Sequence, residues 1–310
     1  MNLPNFTEGD EGVFENLPDP DYRKAAGVSN SMLKNIAMDG AEPGSPAHFV
    51  QSFNDPNTDS DALFFGRMVH SRILTPDAPL PGVVAIPETY PAPENCSAVK
   101  QKKCQPGDPL PWHGAANYCK DWLAAQASAG IRPMSTTQIG DMNGVVNAIV
   151  THPICQVAFA EGKPEVSLFK RYHRENGMVL RKARLDWVPP GPALVDIKTC
   201  QDARKVEFDR VLWSRRYYVQ AAYYLDLWNA LNPDDQKTNF IFIAVEKFAP
   251  YNIQVFDVDP RDLDDGRREY QRNLALVMQC LKEGAWPGYP TEIQAIKMRA
   301  PYNRKTITPD

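Results

Sequence analysis

The chain has no excess of basic residues: 34 Lys and Arg stand against 38 Asp and Glu, for a formal charge of −4 and a pI near 5.8. Bulk charge therefore gives it no grip on a polyanion, and any such contact has to come from how the cations are distributed. Cysteine is sparse, and the six (Cys96, Cys104, Cys119, Cys155, Cys200 and Cys280) form no Cys-x-x-Cys spacing. That argues against a zinc ribbon or a disulfide framework. No apolar run is long enough to cross a bilayer, and the N-terminus Met1-Asn-Leu-Pro-Asn-Phe-Thr-Glu lacks the basic-then-apolar pattern of a secretory signal. A cytoplasmic protein with no membrane partner is expected. No internal repeat or low-complexity tract stands out, and 310 residues are enough for one substantial core or a core with a lobe.

What is present is charge concentrated at the end of an apolar strand. Ala193, Leu194 and Val195 run into Asp196, Ile197, Lys198 and Thr199, and Asp186 precedes them across a Pro/Gly turn. Burying charge without partners is expensive, and a strand edge built only for solubility would use Thr or Ser. Alternation puts Asp196 and Lys198 on one side and Ile197 in the core. An odd-length connection sets Asp186 directly opposite Asp196, at about 5 Å. A four-residue loop would set it against Val195 and turn its carboxylate to the wrong face. Two facing carboxylates repel unless a divalent cation neutralises them, and hard oxygen donors select magnesium or manganese over zinc. A lysine beside a metal-bound water can orient or deprotonate it, or stabilise charge on an attacked phosphate, so the combination reads as phosphodiester hydrolysis. Taken alone, Asp-x-Lys is more often an exposed surface pair.

Other segments add to the pattern. A helix over 61–74 carries Leu63, Met68 or Val69 and Ile73 on its apolar face and His70 at the edge, where an imidazole is either a metal ligand or an ordinary helix histidine. Glu165 begins an alternating strand and either reaches the same metal or guards a sheet edge. Gln220 and Tyr224, four residues apart on a helical stripe, either hydrogen-bond the lysine or the phosphate or border the core. Arg204, Lys205, Arg210, Arg215 and Arg216 gather just after Lys198, as a track for a phosphate backbone or as a solvated helix face.

Taken in order, Gly66-Arg-Met-Val-His70, Glu165-x-Ser167, Arg184-x-Asp186, Asp196-Ile-Lys-Thr199 and Gln220-x-x-x-Tyr224 closely resemble the PD-(D/E)XK nuclease superfamily, and within it the RecE-like (exonuclease VIII C-terminal) nuclease domains. Ser29-Asn-Ser31 opening the first helix, Ser45-Pro-Ala-His48 closing it and Trp286-Pro-Gly-Tyr289 after the last helix add to the likeness. The resemblance implies that His70, Asp186, Asp196 and the carbonyl of Ile197 are metal ligands, that Lys198 serves the attacking water, and that Glu165, Gln220 and Tyr224 shape the pocket. It fits Mg²⁺, with Mn²⁺ able to substitute, and the clustering of cations makes Arg204, Lys205, Arg215 and Arg216 the expected DNA contacts.

The activity so implied is a DNA exonuclease acting 5′ to 3′ on the ends of linear double-stranded DNA, leaving 3′ single strands for phage-type homologous recombination. A ring-shaped homo-oligomer and a single-strand annealing partner of the RecT type belong to the same picture. A structure-specific or restriction-type endonuclease, or a DNA-binding protein with a vestigial centre, would carry the same core. The proline of the superfamily's name is replaced by Leu185, and the cysteines do not match iron–sulfur relatives, since only Cys280 lies well beyond the hairpin.

The expected fold is α/β, a PD-(D/E)XK restriction-endonuclease-like core of mixed β-sheet flanked by helices. Residues 1–27 are expected as an acidic, flexible or loosely docked tail, 28–290 as the nuclease domain and 291–310 as a C-terminal tail. Helices are expected near 29–38, 61–74, 118–127 and after a Ser135 capping box, with a last one from Asp259-Pro260 to Gly284. Strands are expected near 165–173, 177–188, 193–199, 240–245 and 253–258. The proline-dense stretch 76–111, with Val83-Val-Ala-Ile86 and the basic Lys100-Gln-Lys-Lys103, is expected to give one short strand and a long loop at the DNA-facing rim.

Overall fold

The sequence patterns become one six-stranded sheet in the computed structural model, which describes residues 3–37, 44–53, 60–77, 80 and 82–293. A short β1 (Gly12–Phe14) is followed by α1 (Asp19–Lys24), α2 (Asn30–Leu33), α3 (Pro46–Gln51) and α4 (Asp61–Leu74). An excursion then holds β2 (Val83–Ala85), β3 (Thr89–Pro91), α5 (Ser97–Lys100), β4 (Pro109–Pro111), α6 (Asn117–Ser128) and β5 (Arg132–Met134). Helices α7 (Thr136–Thr151) and α8 (Pro153–Ala158) lead into the long hairpin of β6 (Lys163–Arg174) and β7 (Gly177–Val188). The chain continues through β8 (Ala193–Cys200), α9 (Lys205–Ser214), α10 (Tyr217–Leu231), β9 (Asn239–Glu246), β10 (Ile253–Asp257) and α11 (Pro260–Glu283).

The strands lie in the order β1-β6-β7-β8-β9-β10, antiparallel except for the parallel pair β8 and β9. A parallel step needs a crossover, and α9 and α10 make it. Val219, Tyr223 and Leu274 from α10 and α11 pack on Leu194, Phe240 and Phe242 on one side, while Val69 and Val145 from α4 and α7 share the other core with Val195, Ile197 and Ile243. Strand β8 is thus covered on both faces, so its sequence reads as an apolar run interrupted by Asp196 and Lys198.

The acidic segment expected as a loose tail is docked over its described part. Gly12 pairs with Phe169 of β6, and Phe6 is only 2% exposed. Glu15 meets Lys163 at 2.7 Å, Glu11 meets Lys170 at 3.2 Å, and Asp19 meets Arg184 at 3.3 Å. Lys182 donates to the carbonyls of Tyr22, Arg23 and Ala25 at the end of α1. Three acids of this segment, Glu11, Glu15 and Asp19, are therefore matched to basic residues of β6 and β7.

Two further expectations are corrected. The helix expected over 29–38 is α2, a single turn capped by Ser29, and Ser45 opens α3 instead of closing that helix: its Oγ accepts the His48 N–H at 3.2 Å, with Pro46 at the first helical position. The stretch 76–111 is more than a strand and a loop over its described part. Strand β2 pairs in parallel with β5, β3 pairs antiparallel with β4, Tyr90 stacks on Tyr118 and Trp112 meets Trp122 edge-on. The expected C-terminal tail lies outside the described residues beyond 293.

Candidate active site

Strands β7 and β8 pair at Trp187 and Val195, the register of an odd connection, which places Asp186 across from Asp196. No second pair follows among the described residues. The Ile197 N–H instead donates to Asp186 Oδ2 at 3.0 Å. On the other side of β7, Pro164 pairs with Trp187 and Val166 with Leu185, so Glu165 also stands across from Asp186. Glu165 has φ of 52°, a left-handed conformation that costs a non-glycine residue about 1–3 kcal/mol and concentrates at functional sites. Three carboxylates thus form a row across β6, β7 and β8.

Helices close on the row from both faces of the sheet. Helix α4, capped by Ser60, approaches β8 so closely at Gly66 that a Cβ there would meet Thr199 Oγ1 at 3.4 Å. One turn on, His70 Nε2 lies 2.8 Å from the Ile197 carbonyl and Nδ1 lies 3.4 Å from Asp186 Oδ2. From the other face, Gln220 of α10 donates to Asp196 Oδ2 at 2.6 Å. Lys198 Nζ sits 2.6 Å from Asp196 Oδ1, with the Tyr217 ring 4.8 Å away. Arg184 Nε pairs with Glu165 Oε2 at 2.5 Å, and its guanidinium also reaches the Leu17 carbonyl and Asp19.

Burial, and then the crowding of charges, sets the electrostatics. Burial and then the Asp186 charge push Glu165 up to about 7 and Asp196 up to about 6. Burial works against the His70 imidazolium, but Asp186 and Asp196 outweigh it and raise the group to about 9. Asp186 goes the other way: although burial raises it, His70, Lys198 and the Ile197 N–H together hold it low. Lys198 is held above its ordinary value because Asp196 overcomes its desolvation, so it is an ammonium at neutral pH rather than a ready base. Burial, Tyr22 and the two aspartates keep the Tyr224 phenol protonated.

These donors fit a hard divalent cation. Ligand atoms of His70, Glu165 and Asp186 all lie within 4.8 Å of one another. The two His70 contacts use different ring nitrogens, Nδ1 toward Asp186 and Nε2 toward the Ile197 carbonyl, so a single ion would take one of the two and leave the other as a hydrogen-bond donor. Without the ion, a second proton on His70 takes over part of its neutralising role. Of the expected ligands, His70 and Asp186 fall in the clustered trio with Glu165, while Asp196 stands beside it with its oxygens on Lys198 and Gln220.

A pH dependence follows from these shifts. Glu165, Asp196 and His70 all have raised folded values, so the stability they supply is full below their ordinary values of 4.5, 3.8 and 6.5 and is lost as pH climbs through about 7, 6 and 9. Asp186, held low, loses its contribution only in acid. In a chelator the melting temperature is expected to fall between about pH 5 and 8, and a divalent ion should flatten that fall, since it replaces protons. Thermal melts across that range check this; a rising curve in the chelator would reject the assignment.

The remaining expected site residues divide. Tyr224 packs on Phe240, and among the described residues no hydrogen bond joins it to the acids. Arg204 and Lys205 are exposed but face Asp202 and Asp209 at 2.6 and 2.7 Å, and Arg215 is exposed at the end of α9. Arg216 is corrected: it is 5% exposed, has φ of 55° and turns inward onto Glu269, so it presents nothing to DNA. Arg184 as a clamp on Glu165 and Tyr217 beneath Lys198 were not foreseen. Tyr217 had a readable signal, standing three residues before Gln220 on one helical face.

A mixed sheet whose central strands carry this acid row beside a lysine defines a nuclease-type domain of the PD-(D/E)XK class. Residues 131–299 match the family described as a PDDEXK-like domain of unknown function (DUF3799), and the chain belongs to that family. A solved structure from Eubacterium rectale, described as a candidate exonuclease, is similar at 14% identity and a TM-score of 0.52, covering 83% of this chain and 81% of its own. A likeness at that identity concerns the fold. SSO0001 is matched over 69% of this chain and 85% of its own, at 12% identity and a TM-score of 0.30. No curated protein matches the chain significantly. Among the described residues, no helix is long and apolar enough to cross a membrane.

Proposed function

We propose that the chain is a Mg²⁺-dependent exodeoxyribonuclease that hydrolyses linear double-stranded DNA from its ends, with Mn²⁺ able to replace Mg²⁺. The observation that carries this reading is the row Glu165, Asp186 and Asp196 across three adjacent strands, with Lys198 2.6 Å from the last and His70 over the middle one. His70, Asp186 and the Ile197 carbonyl would hold the cation, and Glu165 and Asp196, one strand to either side, would supply further negative charge. When bound, such an ion neutralises charge on the phosphate and makes water a better nucleophile.

The chain's own groups do the rest. Gln220 fixes Asp196, and Asp196 in turn fixes the Lys198 ammonium, which orients the attacking water and stabilises charge developing on the phosphate. Arg184 locks the left-handed Glu165 against Asp186. The 5′-to-3′ polarity, a homo-oligomeric ring and delivery of the 3′ strand to a RecT-type annealing protein in phage-type recombination complete this reading and rest on the family resemblance.

The test pairs an end-labelled linear duplex with a closed circle of the same sequence, each with Mg²⁺ or EDTA. Loss of the linear substrate alone, and only with metal, is the expected result. Digestion of the circle at the linear rate would make the protein an endonuclease, and cleavage of neither would leave the vestigial DNA-binding reading.

A further inference from the structure

The acid row is held in part from outside the residues that match the family. Arg184 stands two residues before Asp186 on β7, so both side chains leave the same face of the sheet. Its side chain is 14% exposed and each of its nitrogens has a partner. Nε lies 2.5 Å from Glu165 Oε2, Nη1 lies 3.3 Å from Asp19 Oδ1, Nη2 donates to the Leu17 carbonyl, and Cζ stands over the Tyr22 ring at 5.3 Å. Only the first of these contacts belongs to the acid row. Leu17, Asp19 and Tyr22 all come from the first segment, whereas the family match begins at residue 131.

Tyr22 is the fixed member of that set. Lys182 is buried, donates to the carbonyls of Tyr22, Arg23 and Ala25, and brings its Nζ to 5.3 Å from the Tyr22 ring. Phe169 packs on the same ring with centroids 6.1 Å apart. Asp19, by contrast, is 53% exposed and shared with Arg23, a pair that moves easily. Among the described residues no hydrogen bond engages the Tyr22 hydroxyl, so what the residue offers is its face, and a cation over an aromatic face is held by the ring quadrupole. Glu165 needs such support. A left-handed backbone persists only where the surroundings overdetermine it, and among the described residues Arg184 is the one ion-pair partner of Glu165.

We propose that Tyr22 is a positioning residue of the metal centre: its ring fixes Arg184, Arg184 fixes the Glu165 carboxylate beside His70 and Asp186, and docking of the first segment thereby sets the affinity of the cluster for its divalent cation. The proposal rests on the metal centre of the nuclease reading above and adds to it a part of the chain that the family match leaves out. Because Arg184 is itself a cation, deleting it would draw a metal ion in by charge while loosening Glu165, so the informative substitutions keep the charge.

The test is binding of Mn²⁺ to the intact protein without DNA, followed by the electron paramagnetic resonance of the free ion, beside thermal melts. Tyr22→Leu removes the ring and no charge, and should weaken Mn²⁺ binding about 3- to 10-fold. Tyr22→Phe keeps the face and should bind as the unaltered protein does. Arg184→Lys keeps the charge and loses the fork that spans Leu17, Asp19 and Glu165; it should weaken binding at least as much, which decides the matter should Tyr22→Leu fail to fold. Phe14→Leu removes an edge contact with Phe169 from the same segment without touching Arg184, and should lower the melting temperature while leaving Mn²⁺ binding unchanged. Unchanged binding in Tyr22→Leu or in Arg184→Lys would overturn the proposal, as would equal loss in Tyr22→Phe or in Phe14→Leu. If the unaltered protein binds no Mn²⁺, the metal centre fails and the proposal with it. If Mn²⁺ binding responds as expected while neither linear nor circular duplex is cleaved, the positioning role stands and the nuclease reading fails.

Discussion

Asp186→Ala is expected to lower hydrolysis of linear duplex by at least about 10³-fold and to erase the metal-dependent rise in melting temperature, whereas Lys198→Ala loses as much hydrolysis and keeps that rise. The two residues differ in what they touch. Asp186 is the middle acid of the row, receives the Ile197 N–H at 3.0 Å and stands 3.4 Å from His70, so its removal strips charge and order from the proposed ligand cluster at once. Lys198 touches Asp196 and the Tyr217 face and none of the clustered trio directly. Because Ala at 186 also leaves the Ile197 N–H without its acceptor, at about 1–3 kcal/mol, Asp186→Asn is the sharper variant: it keeps an acceptor and removes the charge. Loss of Lys198 leaves the buried Asp196 with Gln220 alone, and a carboxyl already raised to about 6 answers by binding a proton, so the fold should survive. Single-turnover digestion and melts with and without Mg²⁺ decide the matter. If Lys198→Ala also lost the metal response, the lysine would be holding the ligands in place, and its assigned role would be wrong.

The parts of the site that are local in sequence were legible there. Asp-Ile-Lys at a strand end fixes three orientations by alternation alone, and the turn after Val188 admits few registers, so Asp186 opposite Asp196 could be argued from loop length. Helical spacing left His70 and Gln220 open between the site and the core, and only the order of the motifs along the chain assigned them. What was hidden depends on partners far apart in the chain. Nothing near Glu165 announces a left-handed backbone, because the groups that hold it, Arg184 and through it Asp19, come from another strand and from α1. The acidic first segment reads as a tail because composition records its charge and not the lysines and arginines of β6 and β7 that match it. Arg215-Arg216 reads as a basic pair, yet the short break between α9 and α10 turns the second arginine into the protein, where Glu269 of α11 waits.

That same contact between α10 and α11 governs the second large effect, which is on stability. Gly266→Ala is expected to cost about 2–3 kcal/mol, lowering the melting temperature by roughly 3–5 °C. A Cβ at Gly266 would lie 2.5 Å from the Tyr218 carbonyl oxygen and 3.0 Å from Ala222 Cβ, and the first of these is backbone in the opening turns of α10, which cannot rotate aside. Relief requires the helices to separate where Glu269 binds both Arg216 and the Tyr218 hydroxyl. Two residues beyond Tyr218 stands Gln220, the group that fixes Asp196, so hydrolysis should fall as well, though by less than in Asp186→Ala. Gly140→Ala is the matching control: nothing lies within 4 Å of its added Cβ, and alanine in place of an exposed mid-helix glycine should stabilise by about 0.5–1 kcal/mol. Opposite shifts in the two melts would show that the close approach of α11, rather than loss of glycine as such, positions the helix that holds the buried acid. Equal shifts would mean that α10 tolerates displacement and that Asp196 is fixed by its own strand.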